Sequence, residues 1–203
     1  MIGDCTALIL AGGDSSRMGQ DKATLVLDGA TLLQHAVAAV EPLFPHVLVS
    51  VRQPRAGLAW PQVCDLYADS GPLAGLAAGL EQAGTSWVFA LACDMPYVSG
   101  KVVEALAVYR DGCQAVVPLV DGHPQPLAAF YAESALPVMR AALREGEKRL
   151  RSVLQRLDAC YVDEAALRGF DPQLRSFVDL DTPQDVRAAM QDGHSRAGGN
   201  PVA

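Results

Sequence analysis

Two features are missing from this sequence, and each absence excludes a class of partner. There is no excess of positive charge, because 16 lysines and arginines stand against 23 acidic residues, for a net charge of −7. That balance argues against a duplex nucleic-acid partner, which would need a basic face. No apolar run approaches the ~20 residues of a membrane span, and the longest, Trp87–Cys93, has the length of a strand. We therefore expect neither a nucleic-acid nor a membrane partner.

Cysteine and histidine are too few and too scattered for a disulfide framework or a zinc site. The five cysteines are odd in number and include no Cys-x-x-Cys motif, and the four histidines form no pair at metal-ligand spacing. The segment Met1–Asp4 carries an acid and no lysine or arginine, unlike the start of a signal peptide. We expect reduced thiols, no zinc and a cytoplasmic protein.

Apolar residues make up half of the 203 positions, which is enough to build one domain with a full core. Their spacing alternates between strand and helix patterns along the chain. The predicted strands are Thr6–Leu10, Val47–Val51, Gln62–Asp65, Trp87–Cys93, Ala115–Val120, Leu127–Tyr131, Tyr161–Val162 and Phe177–Val178. The predicted helices are Thr31–Phe44, Pro72–Ala83, Val102–Tyr109, Leu136–Leu143, Leu150–Leu157 and Pro183–Met190.

This alternation predicts an α/β fold: a single-domain, Rossmann-like, mostly parallel sheet with helices on both faces. One antiparallel hairpin is expected near residues 115–131, where Asp121-Gly122 is a turn sequence. We expect the domain to span residues 1–191 and residues 192–203 to form a disordered tail without an apolar period.

A glycine-rich segment, Leu10–Lys22, follows the first predicted strand. Glycines let a backbone turn tightly and approach a ligand, and successive amides can form an anion-binding concavity. Arg17 and Lys22 add cations suited to phosphate oxygens. The segment is neither a P-loop nor a Gly-x-Gly-x-x-Gly fingerprint, and Gly12-Gly13 alone would be compatible with a plain surface loop. The full spacing favours a phosphate site.

A carboxylate, Asp94, ends the most apolar predicted strand. Ligands of open α/β sheets collect at the carboxyl ends of strands, and Mg²⁺ commonly takes one or two carboxylates plus substrate phosphates. The alternative is a turn aspartate that caps the chain before Pro96. Two further polar segments, Asp65–Gly75 and Asp121–Pro126, have the same ambiguity between a ligand site and an ordinary strand end or hairpin turn.

The segment Leu10–Lys22 resembles the characteristic loop of nucleoside-triphosphate nucleotidyltransferases, and among them the molybdenum cofactor guanylyltransferases. The resemblance continues at Gly71–Leu76, Cys93–Pro96, Gly122–Leu127 and loosely at Asp181–Pro183, and so covers nearly the whole chain. It implies a fold of the nucleotide-diphospho-sugar transferase type. It also implies transfer of GMP from GTP to molybdopterin with release of pyrophosphate, Mg²⁺ as cofactor, contact with proteins that deliver the molybdenum cofactor, and a monomer.

The resemblance also implies roles for individual residues. Asp94 would bind the metal, and Arg17, Lys22 and Asp94 would be catalytic. Asp65 would accept hydrogen bonds from the guanine edge. The implied nucleotide-binding residues are Leu10, Ala11, Gly12, Gly13, Lys22, Ser50, Asp65, Gly71, Pro72, Leu73 and Asp94, and the implied acceptor-binding residues are His123, Gln125, Asp179 and Asp181.

Two departures from the family pattern keep other activities open. Ser50 stands where guanylyltransferases often have Asn, and Asp179-Leu180-Asp181 stands where they tend to have Asn-x-Asn. The Asp-x-Asp pattern of this chain also occurs in related cytidylyltransferases. Cytidylyl transfer to the same acceptor is therefore one alternative, and nucleotidyl transfer to a sugar phosphate is another. A serine hydrolase built on Gly13-Asp14-Ser15 lacks a matching Asp-x-x-His near the C-terminus. An inactive nucleotide-binding regulator would not need both Lys22 and Asp94.

Overall fold

A mixed, mostly parallel sheet forms the centre of the fold in the computed structural model, which describes residues 1–12, 21–64, 71–182 and 184–190. Its strands are short apolar runs, as the sequence predicts. In chain order the strands are Cys5–Leu10 (β1), Val26–Leu27 (β2), Ala30–Thr31 (β3), His46–Val51 (β4), Gln62–Cys64 (β5), Trp87–Ala92 (β6), Ala115–Val120 (β7), His123–Pro124 (β8), Ala128–Ala132 (β9) and Ala159–Asp163 (β10).

The sheet runs in the order β10-β7-β9-β6-β1-β4-β5, with β8 paired to β7 and with β2 and β3 forming a separate hairpin. Strand β1 is parallel to both β6 and β4, β4 is parallel to β5, and β10 is parallel to β7. Strand β9 is antiparallel to both of its neighbours. The predicted fold class is thereby confirmed.

Helices cover both faces of this sheet. They are Leu32–Val40 (α1), Gly71–Gln82 (α2), Gly100–Ala107 (α3), Leu136–Arg144 (α4), Leu150–Leu154 (α5) and Glu164–Leu167 (α6), and residues 184–190 are also helical. Alternate residues of β1 point to opposite faces: Ile9 packs in the cluster with α1 and α3, and Leu8 packs in the cluster with α2, α4 and α5. Within the described ranges, no helix is long and apolar enough to cross a membrane.

The carboxyl ends of β1, β4 and β6 meet at one edge of the sheet, which we call the carboxyl edge. The amide of Ala11 donates to the carbonyl of Ser50 at 2.9 Å, and the amide of Cys93 donates to the carbonyl of Leu10 at 3.2 Å. Three segments that the sequence singled out are therefore joined side by side, where open α/β sheets bind their ligands.

Two glycines let α2 approach this edge closely. A β-carbon at Gly75 would collide with the hydroxyl of Ser50, and one at Gly79 would collide with the side chain of Leu8. An alanine at either position would force the side chain of Ser50 or Leu8 to shift, which favours glycine in spite of its low helix propensity.

Two Asp-Gly turns make the hairpins of the fold. Asp121 and Gly122 both have positive φ and connect β7 to β8, as their sequence predicts. Asp28 and Gly29 have the same conformation and connect β2 to β3. The expected hairpin near residues 115–131 is therefore present, and the β2–β3 hairpin is a further one that the sequence analysis missed, because the strands flanking Asp28-Gly29 are too short to give an alternating pattern.

The predicted strand Phe177–Val178 is also absent. Residues Arg175–Phe177 form a 3-10 turn, which follows Leu174 in the left-handed conformation. The amide and hydroxyl of Ser176 both donate to one oxygen of Asp171, at 2.8 and 2.7 Å. These local bonds satisfy the polar groups that a strand would have paired with a neighbour.

Candidate active site

A pocket of about 220 Å³ opens at the carboxyl edge of the sheet. Its floor is the ends of β1 and β6, and its wall is the first turns of α2. Its described lining consists of Leu10, Ala11, Gly12, Asp21, Lys22, Ser50, Gly71, Pro72, Gly75, Ala92, Cys93, Asp94 and Leu127.

The charged centre of this pocket is the ammonium of Lys22. It lies 3.0 Å from Oδ2 of Asp94 and 2.5 Å from Oδ1 of Asp181. The side chain of Asp94 is 16% exposed and that of Asp181 is 64% exposed, so the cluster runs from the pocket floor to solvent. One lysine thus connects residues that are far apart in the sequence.

Local backbone structure positions each member of this cluster. Asp21 caps the 3-10 turn Lys22–Thr24 by accepting from the amide of Ala23, which sets the direction of Lys22. The amide of Leu180 donates to the carbonyl of Asp94 at 2.8 Å and holds the segment that carries Asp181. Leu180 is buried, so Asp179 and Asp181 on either side of it are left exposed.

The cluster carries more negative than positive charge. Burial lowers the pKa of Lys22, but hydrogen bonds and charge from Asp181 and Asp94 outweigh it, and the net shift is upward. Lys22 is therefore a permanent cation. The pKa of Asp179 is raised to about 6 by burial of its carboxyl and by the charges of Asp94 and Asp181, although part of the side chain reaches solvent. Both pKa shifts show that the cluster has a surplus of negative charge, which a further cation would stabilise.

Carboxylate oxygens are ligands that Mg²⁺ prefers. This cluster places two carboxylates, those of Asp94 and Asp181, around the ammonium of Lys22. Among the described residues no three acidic, histidine or cysteine side chains form a complete metal site. Two carboxylates would therefore need oxygen ligands from a substrate, which is the usual arrangement for Mg²⁺ bound with phosphates. The donor set fits that metal.

Burial makes the thiol at the pocket floor inert. Cys93 is 6% exposed. Its pKa is raised to about 12 by burial and by the charges of Asp94 and Asp21. A protonated thiol is a poor nucleophile, so the pocket contains no cysteine suited to covalent catalysis among the described residues.

Most of the residues implied by the resemblance meet at this pocket. Leu10, Ala11, Gly12, Lys22, Ser50, Gly71, Pro72 and Asp94 all line it, and Asp181 reaches it through Lys22. Asp179 lies close enough for its charge to interact with Asp94. Gly13, Arg17, Asp65 and residues 192–203 lie outside the described residues.

Three expected residues lie elsewhere. The side chain of Leu73 is fully buried in the apolar cluster beneath α2 and does not line the pocket. His123 and Gln125 lie on the β7–β8 hairpin, outside the pocket's described lining. The amide of Gln125 donates to Pro118 and its side chain to the carbonyl of His123, and its carbonyl accepts from the amide of Ala128, so its hydrogen bonds join the hairpin to the start of β9.

Other residues at or beside the pocket received no individual role in the sequence analysis, although Gly75 and Leu127 belong to segments that it singled out. Leu127 and Gly75 line it, and Gly75 shows a signal in its spacing, four residues after Gly71 on one helix face. Arg52 and Arg55 bond the backbone of Gly12 and Ala11, at 2.8 and 2.9 Å. No sequence motif marks these arginines, because their role depends on contact between distant segments.

A larger groove of about 700 Å³ lies at the opposite edge of the sheet. Its main charged group, Arg110, pairs with Asp4 at 3.0 Å and lies 5.5 Å from the ring centres of Trp87 and Phe130. That arginine is already satisfied by structural contacts. The smaller pocket, where charges from distant segments converge, is therefore the candidate active site.

Comparison with known proteins shows which family the chain belongs to. Residues 7–160 match the model of the MobA-like NTP transferase domain. A relative from Chloroflexus aggregans, described as a probable molybdenum cofactor guanylyltransferase, is 35% identical over 193 residues, which is 90% of this chain and 91% of the relative. The crystal structure of molybdopterin-guanine dinucleotide biosynthesis protein A from Archaeoglobus fulgidus superposes with a TM-score of 0.83 at 29% identity, covering 94% of this chain and 99% of that one.

A more distant structure shows how widely the fold is shared. The 2-C-methyl-D-erythritol 4-phosphate cytidylyltransferase from Thermus thermophilus has a TM-score of 0.69 at 21% identity, over 93% of this chain and 98% of that one, a likeness of fold alone. The family match covers most of the chain and includes β1, β4, β6 and α2, which build the pocket. This chain belongs to the MobA-like NTP transferase domain family.

Proposed function

We propose that this protein transfers GMP from GTP to molybdopterin, forming a guanine dinucleotide and releasing pyrophosphate. The observation that carries the proposal is the cluster of Lys22, Asp94 and Asp181 at the mouth of a carboxyl-edge pocket. Relatives that match nearly the full length of this chain are described as molybdenum cofactor guanylyltransferases, which supports the choice of donor and acceptor.

The chemistry needs positioning and charge stabilisation more than a strong base. An oxygen of the acceptor's terminal phosphate attacks the α-phosphorus of GTP, a new P–O bond forms, and the bond to the bridging oxygen breaks as pyrophosphate leaves. The second pKa of a phosphate monoester is about 6, so the attacking oxygen is already ionised at neutral pH. This agrees with a pocket that offers no histidine or reactive cysteine among its described residues.

Lys22 is placed to bind the triphosphate. Its ammonium has three N–H donors, and Asp94 and Asp181 accept from it in the structure. Among the described residues these two are its acceptors, which leaves a third donor for a phosphate oxygen. Because its pKa is raised, the side chain keeps its charge at every pH at which the protein works, so it can stabilise the charge that develops on the leaving pyrophosphate.

Asp94 and Asp181 would hold Mg²⁺ together with the substrate phosphates. The bound ion would supply charge neutralisation for the triphosphate and its leaving group. Asp94 projects from the end of β6 and is mostly buried, whereas Asp181 is largely exposed. We therefore assign Asp94 as the primary ligand and Asp181 as a weaker contributor on the acceptor side, with Asp179 beside it.

A Mg²⁺ titration of the initial rate tests this assignment. Asp94→Asn should abolish turnover at any practical Mg²⁺ concentration, whereas Asp181→Asn should retain turnover and only raise the Mg²⁺ requirement. Asp111→Asn, at the opposite edge of the sheet, is the matched control and should behave as wild type. Wild-type turnover by Asp94→Asn together with an inactive Asp181→Asn would reverse the assignment.

Guanine is the base we propose, with cytosine as the alternative. Gly12 lines the pocket, and a β-carbon there would meet Arg52 and Val51 at ordinary contact distance, so the protein's own packing does not require glycine. The absent side chain leaves space for a bulky base. Asp179-Leu180-Asp181 is the feature that favours the cytidylyl alternative, since related cytidylyltransferases share this pattern.

Pyrophosphate release from GTP tests the function. We expect release that requires both Mg²⁺ and molybdopterin, with one pyrophosphate formed per dinucleotide. Pyrophosphate or phosphate release without the acceptor would indicate a hydrolase, and binding of GTP without turnover in the presence of acceptor would indicate a regulatory module.

A further inference from the structure

One arginine bridges the two described ends of the glycine-rich segment. The Nη2 of Arg55 donates to the carbonyl of Ala11 at 2.9 Å, and its Nη1 lies 2.7 Å from Oδ2 of Asp21. Ala11 directly follows β1, and Asp21 directly precedes Lys22. A single guanidinium therefore fixes the entry and the exit of residues 12–20 relative to each other.

The other oxygen of Asp21 connects this bridge to Lys22. Oδ1 of Asp21 accepts from the amide of Ala23 at 3.1 Å and so caps the turn that directs the lysine into the pocket. Both oxygens of one carboxylate are in use, one for the arginine and one for the turn. Movement of Arg55 would therefore be transmitted to the backbone of Lys22.

The backbone of Arg55 is itself clamped from outside the pocket. The side-chain amide of Gln62, the first residue of β5, accepts from the amide of Arg55 at 2.8 Å and donates to its carbonyl at 2.9 Å. Neither Gln62 nor Arg55 is among the pocket's lining residues. Arg52 adds a further bond from the same connection, to the carbonyl of Gly12 at 2.8 Å.

We propose that Arg55, held by Gln62, is a positioning residue that sets the spacing of the two ends of the phosphate-binding segment and thereby the affinity for the nucleoside triphosphate. This rests on the proposed function, because it takes the pocket to be a triphosphate site. The side chains of the Arg55–Asp21 pair are 28% and 38% exposed, and partly exposed ion pairs contribute little to stability. The main effect of the pair is therefore to fix the positions of Ala11 and Asp21 relative to each other, and not to stabilise the fold.

The rigid fork of arginine is what the bridge requires. Its two terminal nitrogens reach a carbonyl and a carboxylate at the same time, whereas a lysine ammonium is a compact point charge on a flexible stem. A role in attracting the triphosphate by charge alone would be preserved in Arg55→Lys. A bridging role would not be preserved.

Nucleotide kinetics are the first arm of the test. Arg55→Ala should raise KM for GTP about tenfold and lower kcat far less than Lys22→Ala does, because the ammonium of Lys22 is kept and only its support is lost. Arg55→Lys should resemble Arg55→Ala, and Gln62→Ala should raise KM in the same direction without any change of charge. Arg140→Ala, which breaks a 2.5 Å ion pair with Glu81 away from the pocket, is the matched control and should keep the wild-type KM.

A double variant measures the coupling between Arg55 and Asp21 in the same kinetic assay. Asp21→Asn alone should raise KM for GTP, and the double variant with Arg55→Ala should show about the same KM as Arg55→Ala alone, because the bridge is already lost. Independent, multiplying effects of the two substitutions would contradict the bridge. A wild-type KM in Arg55→Lys would overturn the proposal in favour of charge alone.

Amide exchange without nucleotide is the second arm, and it separates this proposal from the proposed function. In Arg55→Ala and Gln62→Ala, the amides of Ala23, Thr24 and Leu25 should exchange about tenfold faster than in wild type, because the turn that contains them loses its support. Faster exchange in a protein that does not use GTP would support the bridge and contradict the proposed function. Unchanged exchange would overturn the bridge whatever the kinetics show.

Discussion

At the scale of single residues, the account depends on the charge of Lys22. Its ammonium is shared by Asp94 and Asp181, which come from the end of β6 and from a late segment of the chain. The same contacts that raise its pKa also hold two carboxylates together that would otherwise repel each other. In the proposed function, the lysine would therefore link the triphosphate side of the site to the acceptor side.

Removal of this charge should affect activity far more than folding. Lys22→Ala should lower the rate of guanylyl transfer by roughly 10²–10³, the usual scale for one preorganised electrostatic partner. The melting temperature should change little, because the side chain lies at the partly exposed mouth of the pocket. Lys101→Ala, on an exposed position of α3, provides the control. Activity within about threefold of wild type in Lys22→Ala would remove this residue from the site.

The sequence predicts site residues that belong to a local motif, and it misses those whose role depends on contacts with distant parts of the chain. Lys22 and Asp94 could be found from their positions after strands β1 and β6. Arg55 could not, because its partners Ala11 and Asp21 are far from it in the chain. The side chain of Leu73 was expected at the pocket but packs in the core. Because α2 is apolar on most of its surface, the sequence does not show which face of the helix meets the pocket.

At the scale of elements, the pocket exists because α2 lies unusually close to β1 and β4. Gly75 faces Ser50 and Leu10 without a side chain of its own, and Ser50 lines the pocket from the other side. The helix can therefore supply a wall within reach of the strand ends. A larger residue at this position would push the wall away or fill part of the space.

Gly75→Ala tests this packing. Alanine gains about 1 kcal/mol of helix propensity over glycine, but overpacking of a tight contact costs about 1–3 kcal/mol. We expect a net loss of stability in chemical denaturation together with a higher KM for GTP. Addition of Ser50→Ala removes the hydroxyl that collides first and should recover part of the stability. Gly100→Ala, where a β-carbon would meet Leu43 at ordinary distance, should not destabilise the protein.

Recovery of none of the lost stability in the double variant would contradict the collision between α2 and Ser50. The same would follow if Gly75→Ala were as stable as Gly100→Ala. The first result would mean that the cost of the alanine lies elsewhere than at Ser50, and the second would mean that the helix can shift without cost.

The strands and turns show which local sequence signals were sufficient to predict an element. Apolar strands such as β1 and β6 were predictable because they are buried on both faces, and Asp121-Gly122 was predictable as a hairpin turn. The β2–β3 hairpin has only two residues in each strand, too few for periodicity to show. At Ser176, side-chain bonds to Asp171 replaced the strand that apolar composition suggested.

At the scale of the whole molecule, topology concentrates function at one edge of the sheet. Parallel strands β4, β1 and β6 end together there, and the acidic surface implied by a net charge of −7 is locally offset by Lys22, Arg52 and Arg55. A protein of this overall charge would repel an anionic triphosphate, so local cations decide binding. The distribution suits a small anionic ligand better than a nucleic acid.

The central claim is guanylyl transfer to molybdopterin at this pocket, and one competition reaction tests it most directly. The protein is incubated with Mg²⁺, molybdopterin and equal concentrations of GTP and CTP, and the dinucleotide product is identified by mass spectrometry. We predict the guanine dinucleotide as the main product, formed by wild type and lost in Asp94→Asn. A predominance of the cytosine dinucleotide would contradict the assigned base, and the absence of either dinucleotide would contradict the assigned reaction.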